Sequence, residues 1–161
     1  MNIFILHRNP VTAARMLCNK HVSKMILETA QMLSTVAVSL GHNDSCLYKP
    51  VHAKHPCTLW TGRSHRNWLW LCKHGLAMSD EFEYRYNNRH KSSEVIEFIY
   101  TNKMGPEPKW FGQLTAFAQA MPEQYKHKNA VTAYRNYYLG EKKRFAKWTK
   151  RNPPNWWLES V

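Results

Sequence analysis

At 161 residues the chain is long enough to bury a core as one domain spanning 1–161, and its 43% hydrophobic and 13% aromatic residues argue against disorder. No run approaches the roughly 18 apolar residues of a membrane span, and Met1–Leu6 is too short and lacks the basic prelude of a signal peptide, so a cytoplasmic, membrane-free protein with free thiols is expected. With 23 Lys and Arg against 11 Asp and Glu, the net charge is +12, a field that attracts polyanions, nucleic acid first.

Asn2–Leu6 reads as a short strand or an extended arm, broken by Asn9-Pro10, after which Val11–Cys18 can begin a helix with Pro near its first turn. Asn19–Leu40 is the longest helical pattern. Val22, Met25, Ile26, Thr29, Ala30, Leu33, Val36, Ala37 and Leu40 form a broad core-facing side. A turn-rich loop runs from Gly41 to Pro50, and a second long helix is expected from Thr58 to about Tyr86. Ser92 or Ser93 can cap a short helix reaching Tyr100. A loop at 102–110, a short apolar helix at Gln113–Met121 and a last helix at Val131–Thr149, stopped by Asn152-Pro153-Pro154, complete the reading. The expected fold class is mainly α, compact and helical.

The long central pattern carries a narrow polar stripe, His21, Lys24, Glu28, Gln31 and Thr35, at alternating spacings of three and four. On a helix apolar nearly all round, such a stripe faces a cleft or forms an internal network, because a buried charge is costly unless paired. By elimination Glu28 is the one carboxylate set within an apolar helix. It could orient water, steady a cationic sugar or shuttle a proton. His21, Lys24 and Gln31 would position substrate beside it, and His55, Ser64 and Asn67 are expected to reach the same place from the middle of the chain.

From Tyr125 to Arg151 there are nine Lys and Arg and one acidic residue, Glu141, with aromatic residues interleaved. Cations neutralise phosphates and aromatic faces stack on bases or wedge into a duplex. Tyr134, Arg135, Tyr138, Lys142, Lys143, Arg144, Lys147, Trp148 and Trp156 are the expected DNA-binding set, and double-stranded DNA is the expected partner. No membrane and no obligate protein partner is inferred. Cys46, His52, His55 and Cys57 offer zinc-type ligands but no Cys-x-x-Cys pair. No cofactor or metal is therefore expected, with a metal-dependent nuclease as one alternative and a non-catalytic nucleic-acid-binding protein as the other.

Asn19-Lys20-His21-Val22, with Glu28 seven residues after His21, resembles the catalytic helix of the phage-type pyrimidine-dimer DNA glycosylases of the endonuclease V type. Met1-Asn2-Ile3-Phe4 is similar to the start of that family, and Tyr134-Arg135-Asn136-Tyr137-Tyr138 to its aromatic and basic segment against DNA. The resemblance implies an all-helical domain that cleaves an N-glycosidic bond, with Glu28 catalytic. It also implies attack on C1′ by the α-amine of a small residue exposed by methionine removal. Asn2 departs from that pattern, since its size normally keeps the methionine. The amine is then that of Met1 or Lys24, or Glu28 activates water and an abasic site is left; the last is the expected route. The longer middle suggests a larger substrate, such as a glucosylated hydroxymethylcytosine of phage DNA.

Overall fold

A computed structural model describes residues 1–109 and 112–160. Among these residues the chain forms seven α-helices and no strand, as the periodicity predicts. They are α1 (Pro10–Met16), α2 (Asn19–Ser39), α3 (Pro56–Arg63), α4 (His65–Tyr86), α5 (Ser92–Thr101), α6 (Ala130–Glu141) and α7 (Asn155–Leu158). None of the described helices is long and apolar enough to cross a membrane.

Helix α2 is the centre, packed against α3, α4 and α5, while α1 lies on α4. Its predicted apolar side is buried from Val22 to Ala37, whereas Leu40, just past the last turn, is exposed. The α2–α4 crossing is close because α4 presents Gly75 there. A Cβ at Gly75 would lie 2.9 Å from the Thr29 methyl, tighter than packed side chains tolerate. Asn2–Leu6 is an irregular arm rather than a strand, with Leu6 N–H bonded back to Phe4 C=O. Ile3, Phe4, Ile5 and Leu6 are all nearly inaccessible to solvent, so the arm is a piece of core.

The structure corrects three helix boundaries. The helix expected over Thr58–Tyr86 is two, because Ser64 adopts an extended conformation (φ −150°, ψ 156°) and its hydroxyl accepts from Asn67 N–H as the cap of α4. The helix expected over Val131–Thr149 ends at Glu141. The chain peels away to clasp the start of α2: Lys147 C=O accepts from Asn19 N–H, and the Asn19 carboxamide bonds the backbone and hydroxyl of Thr149.

The third correction is the segment 113–121, which is an extended strap rather than a helix. Side chains from elsewhere claim its backbone. Asn67 donates to Thr115 Oγ1 and accepts from Thr115 N–H, Ser64 donates to Gln113 C=O, and the Tyr134 hydroxyl donates to Ala118 C=O while accepting from Ala120 N–H. Phe117 packs against the indoles of Trp60 and Trp70. These tertiary bonds outweigh the local preference of an apolar run, which is a weak prior. Asn67 is fully buried and also donates to Trp60 C=O. Asn67→Ala therefore orphans several polar groups at once, and a loss of about 2–4 kcal/mol is expected in urea unfolding. Trp110, in the loop expected at 102–110, lies outside the described residues.

Candidate active site

Glu28 lies on α2 with its carboxylate almost wholly buried, its residue 7% exposed. The arm brings partners to it. Oε2 accepts from Asn2 N–H at 2.8 Å and lies 3.6 Å from the Met1 amine, while Lys24, one turn earlier, approaches Oε1 at 3.5 Å. Asn2 shapes this end of the arm: its Oδ1 accepts from Ile3 N–H and its Nδ2 donates to Ala120 C=O of the strap. The Met1 thioether is seated against the Thr58 hydroxyl at 3.6 Å.

His21, two turns before Glu28, is held as a neutral ring. Its Nδ1 shares a hydrogen bond with the Tyr138 hydroxyl, and Phe4 stacks on its face at 4.2 Å. Burial, with repulsion from Lys142, Lys24 and Lys20, pushes its pKa down to about 3. Phe4 makes that contact from a left-handed backbone (φ 56°), a conformation costly for a bulky residue. Core His74, whose ring pairs with Pro10 C=O, is likewise pushed down to about 4 by burial. An unfolded histidine binds its proton near pH 6.5. Between that value and about 4 the unfolded chain therefore takes up more protons than the folded one, and acid favours unfolding. Stability is expected to be flat above pH 6.5 and to fall by roughly 3 kcal/mol or more by pH 4, read from urea melts across that range.

A cleft of about 540 Å³ opens over Glu28. The Met1 amine, Phe4 and His21 line it beside Glu28, and Lys24, His55 and Pro56 form one rim. Gln119, Ala120 and Met121 of the strap, with Lys126, Tyr137 and Lys142, complete the lining. The Lys142 ammonium sits over the Tyr137 ring at 4.4 Å, and Lys126 is paired with Glu123. His55 caps α3 by accepting from Cys57 N–H through Nδ1, so its neutral tautomer carries the proton on Nε2. Burial, the nearby amine and His52 hold its pKa below the usual value, against a pull from Glu28.

The structure thus brings together Met1, His21, Lys24, Glu28, His55 and Lys142 from the expected set. It does not bring Gln31, Ser64 or Asn67 to the cleft. The polar stripe of α2 leaves the cleft after Glu28, and Thr35, its last member, is bonded to the backbone of Val51. Ser64 and Asn67 hold the strap instead.

The expected DNA-binding set also divides. Tyr134 and Tyr138 are fully buried, and Arg135 braces the arm by donating to Leu6 C=O while lying over Trp156. Trp148 is half-buried, its indole N–H donating to Met16 C=O. Lys143, Arg144 and Lys147 are exposed and available to phosphate. Among the described residues no three metal-ligating side chains converge, and Cys57 is buried while Cys46 is exposed.

The sequence did not single out Lys126 and Gln119, and it named Asn2, Phe4 and Tyr137 only through the family resemblance; their places in the cleft arise from tertiary approach. Glu81 was missed for a different reason. It sits four residues before Arg85 on α4, a pattern that reads as a solvated pair, yet the Glu81 side chain is 3% exposed and that of Arg85 is inaccessible.

An all-helical chain that sets a buried glutamate, an amine and a cationic cleft together has the equipment for chemistry at a nucleotide sugar. The family model for pyrimidine dimer DNA glycosylases matches residues 1–94, more than half of the chain, and the protein belongs to that family. Membership carries DNA glycosylase activity, and DNA as the substrate, at the level of the family. The chain matches no curated protein and no solved structure.

Proposed function

We propose that the protein excises a modified pyrimidine from duplex DNA through the Met1 amine and Glu28. The observation that carries this reading is the amine 3.6 Å from Glu28 Oε2 in a cleft lined by Lys24, Lys126 and Lys142. The amine nitrogen attacks C1′, the bond from C1′ to the base breaks, and the proton shed by the amine passes through Glu28 to the departing base. Opening of the sugar ring then gives an imine between the chain and C1′. Hydrolysis of the imine leaves an abasic site. Loss of the 2′ proton with rupture of the C3′–O bond cuts the strand. This amine route replaces the water route favoured by Asn2 alone, because the arm delivers the amine to the carboxylate.

The cleft lies within the range of roughly 300–1,000 Å³ typical of pockets that enclose a whole ligand, and Lys24, Lys126, Lys142 and Gln119 give it a polar lining. Those features suit a pyrimidine bearing a polar adduct, of which glucosylated hydroxymethylcytosine in phage DNA is the leading candidate, with antiviral defence as the role. Extruding such a nucleotide costs a few kcal/mol, offset by phosphate contacts. The protein is offered ultraviolet-irradiated, glucosylated and unmodified duplexes, with borohydride present or absent. Base release from one modified duplex, with a trapped covalent complex, is the expected result. Release without trapping would replace the amine by water, and no release from any duplex would remove the reading.

A further inference from the structure

Part of the cleft wall is built from residues 119–121, beyond the stretch matched by the family model. Within that wall Gln119 is held in an unusual way. Its Nε2 donates to His127 C=O at 2.6 Å and its Oε1 accepts from His127 N–H at 3.1 Å. Two bonds to the backbone of one residue fix both the plane of the carboxamide and which end is nitrogen. One N–H and one oxygen lone pair are left over from that pairing, since a carboxamide has two of each. The strap beneath is itself nailed down by Asn67, Tyr134 and Asn2. A polar group locked by packing and by a further layer of hydrogen bonds is what selective recognition requires.

Apart from the Tyr137 hydroxyl and the Nε2 atoms of His21 and His55, the other polar groups of the cleft are committed elsewhere. Glu28 and the amine face the sugar chemistry, the lysines are point cations suited to phosphate, and Ala120 and Met121 offer no strong hydrogen bond. The Asn2 carboxamide is occupied by Ile3 N–H and Ala120 C=O, and His55 Nδ1 by Cys57 N–H.

We infer that Gln119 is a specificity-determining residue: its fixed carboxamide reads the polar edge, or the hydroxylated adduct, of the displaced pyrimidine. The inference rests on the excision reading above and adds to it the group that selects the base. A site built to hydrogen-bond a substrate group discriminates strongly against an analogue lacking it, because its own polar atoms are left unpaired.

The test uses full-length protein with Gln119→Met and Gln119→Glu, each checked for an unchanged melting temperature. Two readouts are compared: single-turnover base release from the best modified duplex, and affinity for a duplex carrying a tetrahydrofuran abasic analogue, which has the sugar but no base. The expected result is that Gln119→Met slows base release by about tenfold or more while affinity for the abasic analogue stays within about twofold. Base release unchanged, or both readouts falling together, overturns the inference and leaves the excision reading standing. If either variant melts early, Gln119→Asn, which keeps the carboxamide but shortens it, is held to the same criterion. Wild-type protein that releases no base from any duplex removes the excision reading and this inference with it.

Discussion

Glu28→Gln is expected to lower single-turnover base release by about 10²–10⁴-fold, the range for removing a positioned proton-transfer group. The substitution is nearly isosteric, and a carboxamide oxygen can still accept from Asn2 N–H, which now bonds Oε2 at 2.8 Å. What is lost is the charge beside the Met1 amine and the ability to take its proton. Because one negative charge leaves a cleft lined by Lys24, Lys126 and Lys142, affinity for DNA is expected to hold or rise. Rate and affinity thus move in opposite directions, which separates a chemical defect from a folding defect. Activity within about twofold of wild type would take Glu28 out of the mechanism.

The largest effect on stability is expected at the other end of α4. Glu81 accepts from Arg85 Nε at 2.8 Å and takes two bonds, at 2.9 Å each, from the Arg151 guanidinium. Burial alone pushes the Glu81 carboxyl up, but the hydrogen bonds from Arg151 and Arg85 outweigh it and hold it below its usual value. Arg85 in turn donates to Leu17 C=O, Arg15 C=O and Asn19 Oδ1, tying the end of α1 to the start of α2. Glu81→Ala leaves the inaccessible Arg85 charge without its carboxylate, and a loss of about 3–5 kcal/mol in urea unfolding is expected. The double variant Glu81→Met/Arg85→Met removes both charges and is expected to recover part of that loss. If the double variant is no better than the single one, the cost lies in the carbonyl contacts of Arg85 and not in an unpaired charge.

The pattern of residues showed the architecture where burial on one side of a helix dictates it. The periodicity of 19–40 predicts α2 to within a residue, and its isolated glutamate is the carboxylate of that helix that lines the cleft. Where side chains reach distant backbone, that logic fails. Nothing in the local run 113–121 announces that Asn67 and Tyr134 will hold it extended, and so Gln119 went unnoticed while Asn67 itself was assigned to substrate. The aromatic and basic segment misled in a similar way: Tyr134 and Tyr138 are spaced for one helix face, but only packing shows that this face is core and that Tyr138 supports His21. Ser64 is the instructive middle case. Its capping preference was there to be read, but Trp60, Trp68 and Leu71 recur at helical spacing across the break and suggest a single helix.

The clasp between Asn19 and residues 147–149 has a further consequence for how the molecule comes into being. Residues 1–28 carry Glu28 and its amine, but the rest of the cleft lining includes residues from 119–142, and the clasp joins 147–149, further along still, to the start of α2. Contacts so distant in sequence form late, after the loop between them has closed. During synthesis the first half of the chain can collapse around α2, α4 and α5, while the cleft waits for the C-terminal residues to clear the ribosome. A nascent or prematurely terminated chain therefore carries Glu28 and the Met1 amine without the C-terminal part of the cleft, which is complete only once translation has passed the clasp.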